Sequence, residues 1–255
     1  MTVQFDGLAI YLLVFVRLFA CFMFNPVFSR KNLPLSAKLA FIVWITLIVA
    51  PLVTSDGIRN IDDLSFILLI FKELLLGYFL GYVVQLYLYM LLFVGDLLDY
   101  QFGLSMAKVF DPQTYVQVSI IGNLFQLLFI VLFFMSNSHL MFIQMVVNSF
   151  DYISLDSWFS LNQVIPFILD LFIVVFMLVI KLALPMIVAA FTLEVSMGIL
   201  MKLIPQIHVF VINIQIKVLL GIFLLLVMIQ PITQILDRSL GEMIQNMQNV
   251  LIQLS

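Results

Sequence analysis

Between Leu64 and Val94 the chain runs for about 31 residues, interrupted by charge only at Lys72-Glu73. A helix crosses the hydrocarbon core of a bilayer in about 20 residues, so this run is too long for one untilted span. Five further apolar runs can be read at Leu8–Phe24, Leu39–Thr54, Val118–Met135 (extending towards Phe150), Pro166–Leu193 and Val209–Ile235. Across the 255 residues, 64% are hydrophobic and 10% charged, whereas a soluble domain carries about 25% charged residues. Such a chain cannot cover itself with a soluble surface. The expected fold class is an all-α integral membrane protein with about six apolar segments.

Lys181 to Gly221 is the most informative stretch. Two long apolar segments meet there at Pro205-Gln206, with Lys181, Glu194, Lys202 and Lys217 placed along them. Pro205 lacks a backbone donor and disfavours helix at Ile204, so it reads as the turn of a helical hairpin. A charge at the middle of an apolar span costs roughly 2.5–3.5 kcal/mol on insertion scales, so Glu194 and Lys217 are expected to face protein or water. The spacing of Lys181, Pro185, Glu194, Gly198, Lys202, Pro205, Gln206, Val209, Phe210, Lys217 and Gly221 resembles the FliR/SctT family of type III secretion export-gate proteins. The chain departs from that family's usual Asn, Gly and Pro at His208, Asn213 and Gln215.

Other motifs fit the same resemblance. Arg17, Pro26-Val27-Phe28, Pro34, Lys38 and Ala50-Pro51 look like the family's N-terminal signature, and Lys72-Glu73 through Gly77 and Gly81 looks like its third-segment motif. The two glycines permit close approach by another helix. Adjacent residues on a helix point about 100° apart, so Lys72 and Glu73 are expected to need separate partners elsewhere in an assembly. The alternative is a lysine snorkelling near one end of a span. Arg30, Lys31 and Lys38 form the most basic loop, which suggests the cytoplasmic side and an N-out, C-out topology.

Gly95 to Gln113 is the richest polar stretch. Phe102, Met106 and Phe110 make a single row if the segment is helical, Gly103 weakens a helix, and Asp111-Pro112 favours a turn. Read plainly, this is a loop with an amphipathic turn. The family resemblance implies more, since the matching region there is implicated in plugging a central export pore. At the end of the chain, Leu236, Leu240, Met243, Met247, Val250 and Leu254 form an apolar seam suited to packing on a partner helix.

Several functions are disfavoured. There is no basic tract for nucleic acid, and the net charge is -3. No P-loop, dinucleotide fingerprint, His-Glu-x2-His or nucleophile elbow occurs, so no enzyme activity and no cofactor are expected. His139 and His208 lack neighbours at ligand spacing, so no metal is expected. Cys21 is alone and reads as a small buried apolar residue. No cleavable signal peptide is evident.

The resemblance implies a FliP-like helical part over residues 1–160 and a FliQ-like hairpin over residues 161–255, ending in an amphipathic helix. It further implies one copy of the chain in a hetero-oligomer with FliP-like, FliQ-like and FlhB-like proteins. That assembly would sit in membrane lipid of the bacterial inner membrane, at the flagellar basal body, and pass unfolded export substrates. An injectisome homologue is the alternative. A small-molecule or ion carrier using Glu73, Glu194 or Lys217 is a further one.

Overall fold

The computed structural model describes residues 3–28, 34–53, 63–107, 109–111, 116–156, 164–203 and 209–254. They form helices α1 (Val3–Met23), α2 (Leu35–Val49), α3 (Asp63–Gln101), α4 (Ile120–Met135), α5 (Ser138–Tyr152), α6 (Val164–Leu203) and α7 (Val209–Leu254). Strands β1 (Val109–Asp111) and β2 (Val116–Val118) make a short antiparallel ribbon between α3 and α4. Otherwise the architecture is helical, and each of the six apolar runs falls on helix.

Four of these helices are long and apolar enough to cross a membrane, or five spans if α4 and α5 count as one broken crossing. The lengths depart from a simple span count, because α3, α6 and α7 have 39, 40 and 46 residues. Hydropathy marks only the part of each helix that is apolar. It is blind to the polar extension of α7 beyond Ile235. The run from Val118 towards Phe150 breaks at Asn137, which adopts a left-handed conformation with φ 58°, one that Asn tolerates better than most residues.

Apolar helices in lipid have no water to satisfy loose polar groups. The hydroxyls therefore turn back on their own helices: Thr46 donates to the Ile42 carbonyl at 2.8 Å and Ser196 to that of Thr192 at 2.8 Å. Pro185 and Pro231 lie inside α6 and α7, a placement membrane helices tolerate better than soluble ones.

The chain divides into two compact units that alternate along the sequence. Unit 1 comprises Met1–Tyr87, Asn137–Phe172 and Gly241–Ser255; unit 2 comprises Leu88–Ser136 and Ile173–Leu240. Within unit 1, α1 lies directly on α3. A Cβ at Gly77 would overlap the Arg17 carbonyl, and one at Gly81 would sit 2.8 Å from that of Cys21. The helix that the Gly77-x3-Gly81 pair admits is thus α1 of the same chain. Around this contact Phe22 meets Phe28, Phe41 and Phe142 edge-on at centroid distances of 5.1, 5.4 and 5.8 Å.

Within unit 2 the corresponding close approach joins α3 to the start of α4, where a Cβ on Gly95 would collide with the backbone of Gly122. Asp99 accepts from the Ile120 and Ile121 amides at 2.8 and 3.2 Å, and the Ser119 hydroxyl accepts from the Gly122 amide at 2.8 Å. Three otherwise unpaired N–H groups of α4 are capped in this way. The seam residues Leu236, Leu240, Met243, Met247 and Val250 are all buried.

Candidate functional site

The densest polar chemistry in the described residues lies inside unit 1, around Arg17. Its Nε pairs with Glu73 Oε2, and its Nη2 donates to Glu73 Oε1 at 3.0 Å. Nη2 also donates to the Ile153 carbonyl at 3.0 Å. Nη1 reaches the Ser149 carbonyl and hydroxyl at 2.9 and 3.2 Å. The guanidinium has five N–H groups, and these contacts use all of them. Its Cζ also lies 4.1 Å from the ring centroid of Phe150, close enough for a cation–π contact.

Lys72 completes the cluster. Its Nζ donates to the Ser154 and Leu155 carbonyls, each at 2.9 Å, and lies 2.9 Å from Glu73 Oε1. All three charged side chains are fully buried. Two cations share one carboxylate, and the remaining attraction comes from carbonyls at the C-terminal end of α5, where the helix dipole is negative. The cluster therefore ties α1 and α3 to the end of α5.

This corrects the expectation that Lys72 and Glu73 need separate partners in other subunits. The 100° between neighbouring positions holds at the backbone, but both side chains are long enough for Lys72 Nζ to come within 2.9 Å of Glu73 Oε1. Arg17, which the sequence marks as part of the N-terminal signature and not as a partner of this pair, is the missing third member. Its partners stand 56, 132 and 136 residues away, a separation that no local pattern reports.

In unit 2, Lys217 of α7 pairs with Glu194 of α6, so these charges answer each other within the chain. The pair remains partly open, with the Lys217 side chain 16% and the Glu194 side chain 39% exposed. Lys181 and Lys202 on α6 are exposed. Pro205 and Gln206, expected to form the hairpin turn, lie outside the described residues. One turn before Lys217, the Asn213 Oδ1 is buried without a hydrogen-bond partner.

The segment after α3 is not one helix. α3 ends at Gln101, Gly103 takes a left-handed φ of 75°, and a 3-10 turn over Leu104–Ala107 leads into β1. Phe102, Met106 and Phe110 consequently do not form a row at helical spacing. Phe102 is fully buried and packs on α7, where a Cβ at Gly221 would lie 2.7 Å from its ring. Asp111 ends β1, Met106 lies in the 3-10 turn and Phe110 in the strand, while Pro112 lies outside the described residues. Among the described residues no three His, Cys, Asp or Glu side chains gather at metal-binding distance.

Long apolar helices, pinned by a buried ion cluster and leaving broad apolar faces uncovered, define a multi-span helical membrane protein built to sit among other hydrophobic surfaces. Residues 8–243 match the family described as "Bacterial export proteins, family 1", and the chain belongs to that family. It is 28% identical over 244 residues to the flagellar biosynthetic protein FliR of Bacillus subtilis (strain 168), covering 94% of each chain. The FliR of Escherichia coli (strain K12) is 23% identical over 97% of this chain and 94% of its own. The Yop proteins translocation protein T of Yersinia pestis is 27% identical over 85% of this chain and 84% of its own.

Proposed function

We propose that this chain is a structural subunit of a flagellar type III protein export gate in the bacterial inner membrane. In this role it contributes helices to a pore through which unfolded flagellar proteins leave the cytoplasm. The observation that carries the reading is the family match across residues 8–243, with FliR-named relatives covering nearly the whole chain. The exposed apolar surface supports it. In the crossing part of α7, only 6% of the residues are buried within the chain, with Leu219, Phe223 and Leu226 among those left open.

The partners in this reading are FliP-like, FliQ-like and FlhB-like proteins, with one copy of the present chain per gate. Residues 1–160 act as the FliP-like part and residues 161–255 as the FliQ-like hairpin. The chain acts by shape and packing, without catalysis. The segment from Gly103 to Pro112 serves as the movable seal of the pore.

Coexpression with FliP- and FliQ-like proteins from the same bacterium tests the assembly. Native mass spectrometry is expected to give one complex holding a single copy of this chain. A stable homo-oligomer of the chain alone would overturn the reading. The Yersinia pestis relative supports an injectisome as the second reading. Deleting the gene separates the two, since loss of flagella with normal effector secretion supports the first.

A further inference from the structure

Unit 1 contains a cavity of about 260 Å³ between α1 and α2, lined by Phe22, Met23, Phe28, Phe41, Ile42, Ala37 and Lys38. Its walls are apolar except at one point. Among the described residues Lys38 is the one charged member of the lining, and its ammonium makes no hydrogen bond or ion pair with them, its backbone N–H being directed to the Pro34 carbonyl at 3.3 Å. Every other lysine or arginine whose side chain meets the buried cluster or the α6–α7 pair is matched by a carboxylate. Lys38 is also the fourth residue of α2, close to the positive end of that helix. No acidic residue lies in this first turn, and the Pro34 N-cap offers no side-chain acceptor. A cation in that position is disfavoured unless an anion joins it.

The outer face of α2 is apolar and open within the chain, with Leu35, Trp44 and Leu47 exposed, a face suited to cover by lipid. An apolar recess with a lone ammonium on its wall is complementary to one kind of molecule at that site, an anionic amphiphile with a hydrocarbon chain. Basic pockets between membrane helices take anionic head groups in this way.

We propose that the cavity between α1 and α2 is a binding site for an anionic phospholipid. One acyl chain fills the recess against Phe22, Phe28 and Phe41, and the phosphate pairs with Lys38. The site depends only on the chain being in a membrane, not on the export reading.

The test is lipid retention by the purified full-length chain, together with whatever subunits copurify. Phosphatidylglycerol and phosphatidylcholine are titrated separately in detergent, with native mass spectrometry and thermal unfolding as readouts. Phosphatidylglycerol should be retained preferentially and should raise the unfolding midpoint. Lys38→Gln should weaken its retention about fivefold, equivalent to the ~1 kcal/mol attributed to one lysine near an anionic surface, while Lys38→Arg should keep it. Ala37→Phe, which narrows the recess, should reduce retention of both lipids. Equal retention of the two lipids, or a Lys38→Gln variant that binds like the parent, would overturn the proposal. So would a photo-crosslinker at position 41 that captures another subunit and no lipid.

Discussion

Arg17 has an acceptor for every N–H, and Glu73 supplies two of them. Glu73→Gln would leave Arg17 and Lys72 as buried cations facing only neutral acceptors. Breaking a buried pair by removing one partner costs about 3–5 kcal/mol. The Glu73→Gln protein is therefore expected to show a clearly lower unfolding midpoint and a lower yield in fluorescence-detected size exclusion. An unchanged midpoint would mean that the carbonyls of α5 suffice. The glycines make a second, sharper comparison. Gly77→Ala should impair folding because its Cβ would enter the Arg17 carbonyl, whereas Gly198→Ala should be silent because nothing lies within 4 Å of that position. Expression of the two variants side by side decides it. The sequence reveals that Gly77 and Gly81 receive a helix; it does not reveal which one, because the nearest atoms of α1 there are the Arg17 and Cys21 carbonyls, which carry no side-chain signature. Arg17 is similar, since two of its five acceptors are main-chain carbonyls of residues whose identity scarcely matters.

Among the elements, α3 and the segment after it are where sequence and structure diverge most. Three large apolar residues at spacing four suggest one row, yet α3 ends at Gln101, before the first of them, and Gly103 takes φ 75°. Phe102 is thereby assigned to packing, and the residues beyond Gly103 are left as candidates for the seal. The two roles give different outcomes. Phe102→Ala opens a hole beside Gly221, and truncating a buried Phe costs about 3–5 kcal/mol; it should lower the midpoint of the purified gate without making it leaky. Deleting Met106–Phe110 should spare assembly but let ions pass, as read by conductance in planar bilayers. A tight deletion variant would return the segment to an ordinary loop. The pairing of Glu194 with Lys217 was partly legible. Physical cost places both charges away from lipid, but spacing along two helices does not say that they face each other.

At the scale of the whole molecule, apolar runs locate every long helix because bilayer insertion and helix burial both select for apolarity. The same signal is silent on how the helices are shared out. Gly241–Ser255 belongs with Met1–Tyr87, and all of Ile173–Leu240 lies between them in sequence within the other unit. Asn246 donates to the Tyr87 hydroxyl at 3.0 Å across 159 residues, a pairing that no periodicity predicts.

That alternation sets an order of events during synthesis. Unit 1 starts before unit 2 along the chain, yet it is incomplete until residues 241–254 have been made, after the whole of unit 2. Contacts between such distant segments are slow to form. For most of its translation the nascent chain must therefore hold a half-built first unit in the membrane, with the surface awaiting Met243, Met247 and Val250 uncovered. Chains ending at residue 240 should insert normally but be cleared rapidly, with a pulse-chase half-life well below that of the full chain. If they proved equally long-lived, the last turns of α7 would be an appendage and not the closing piece of the fold.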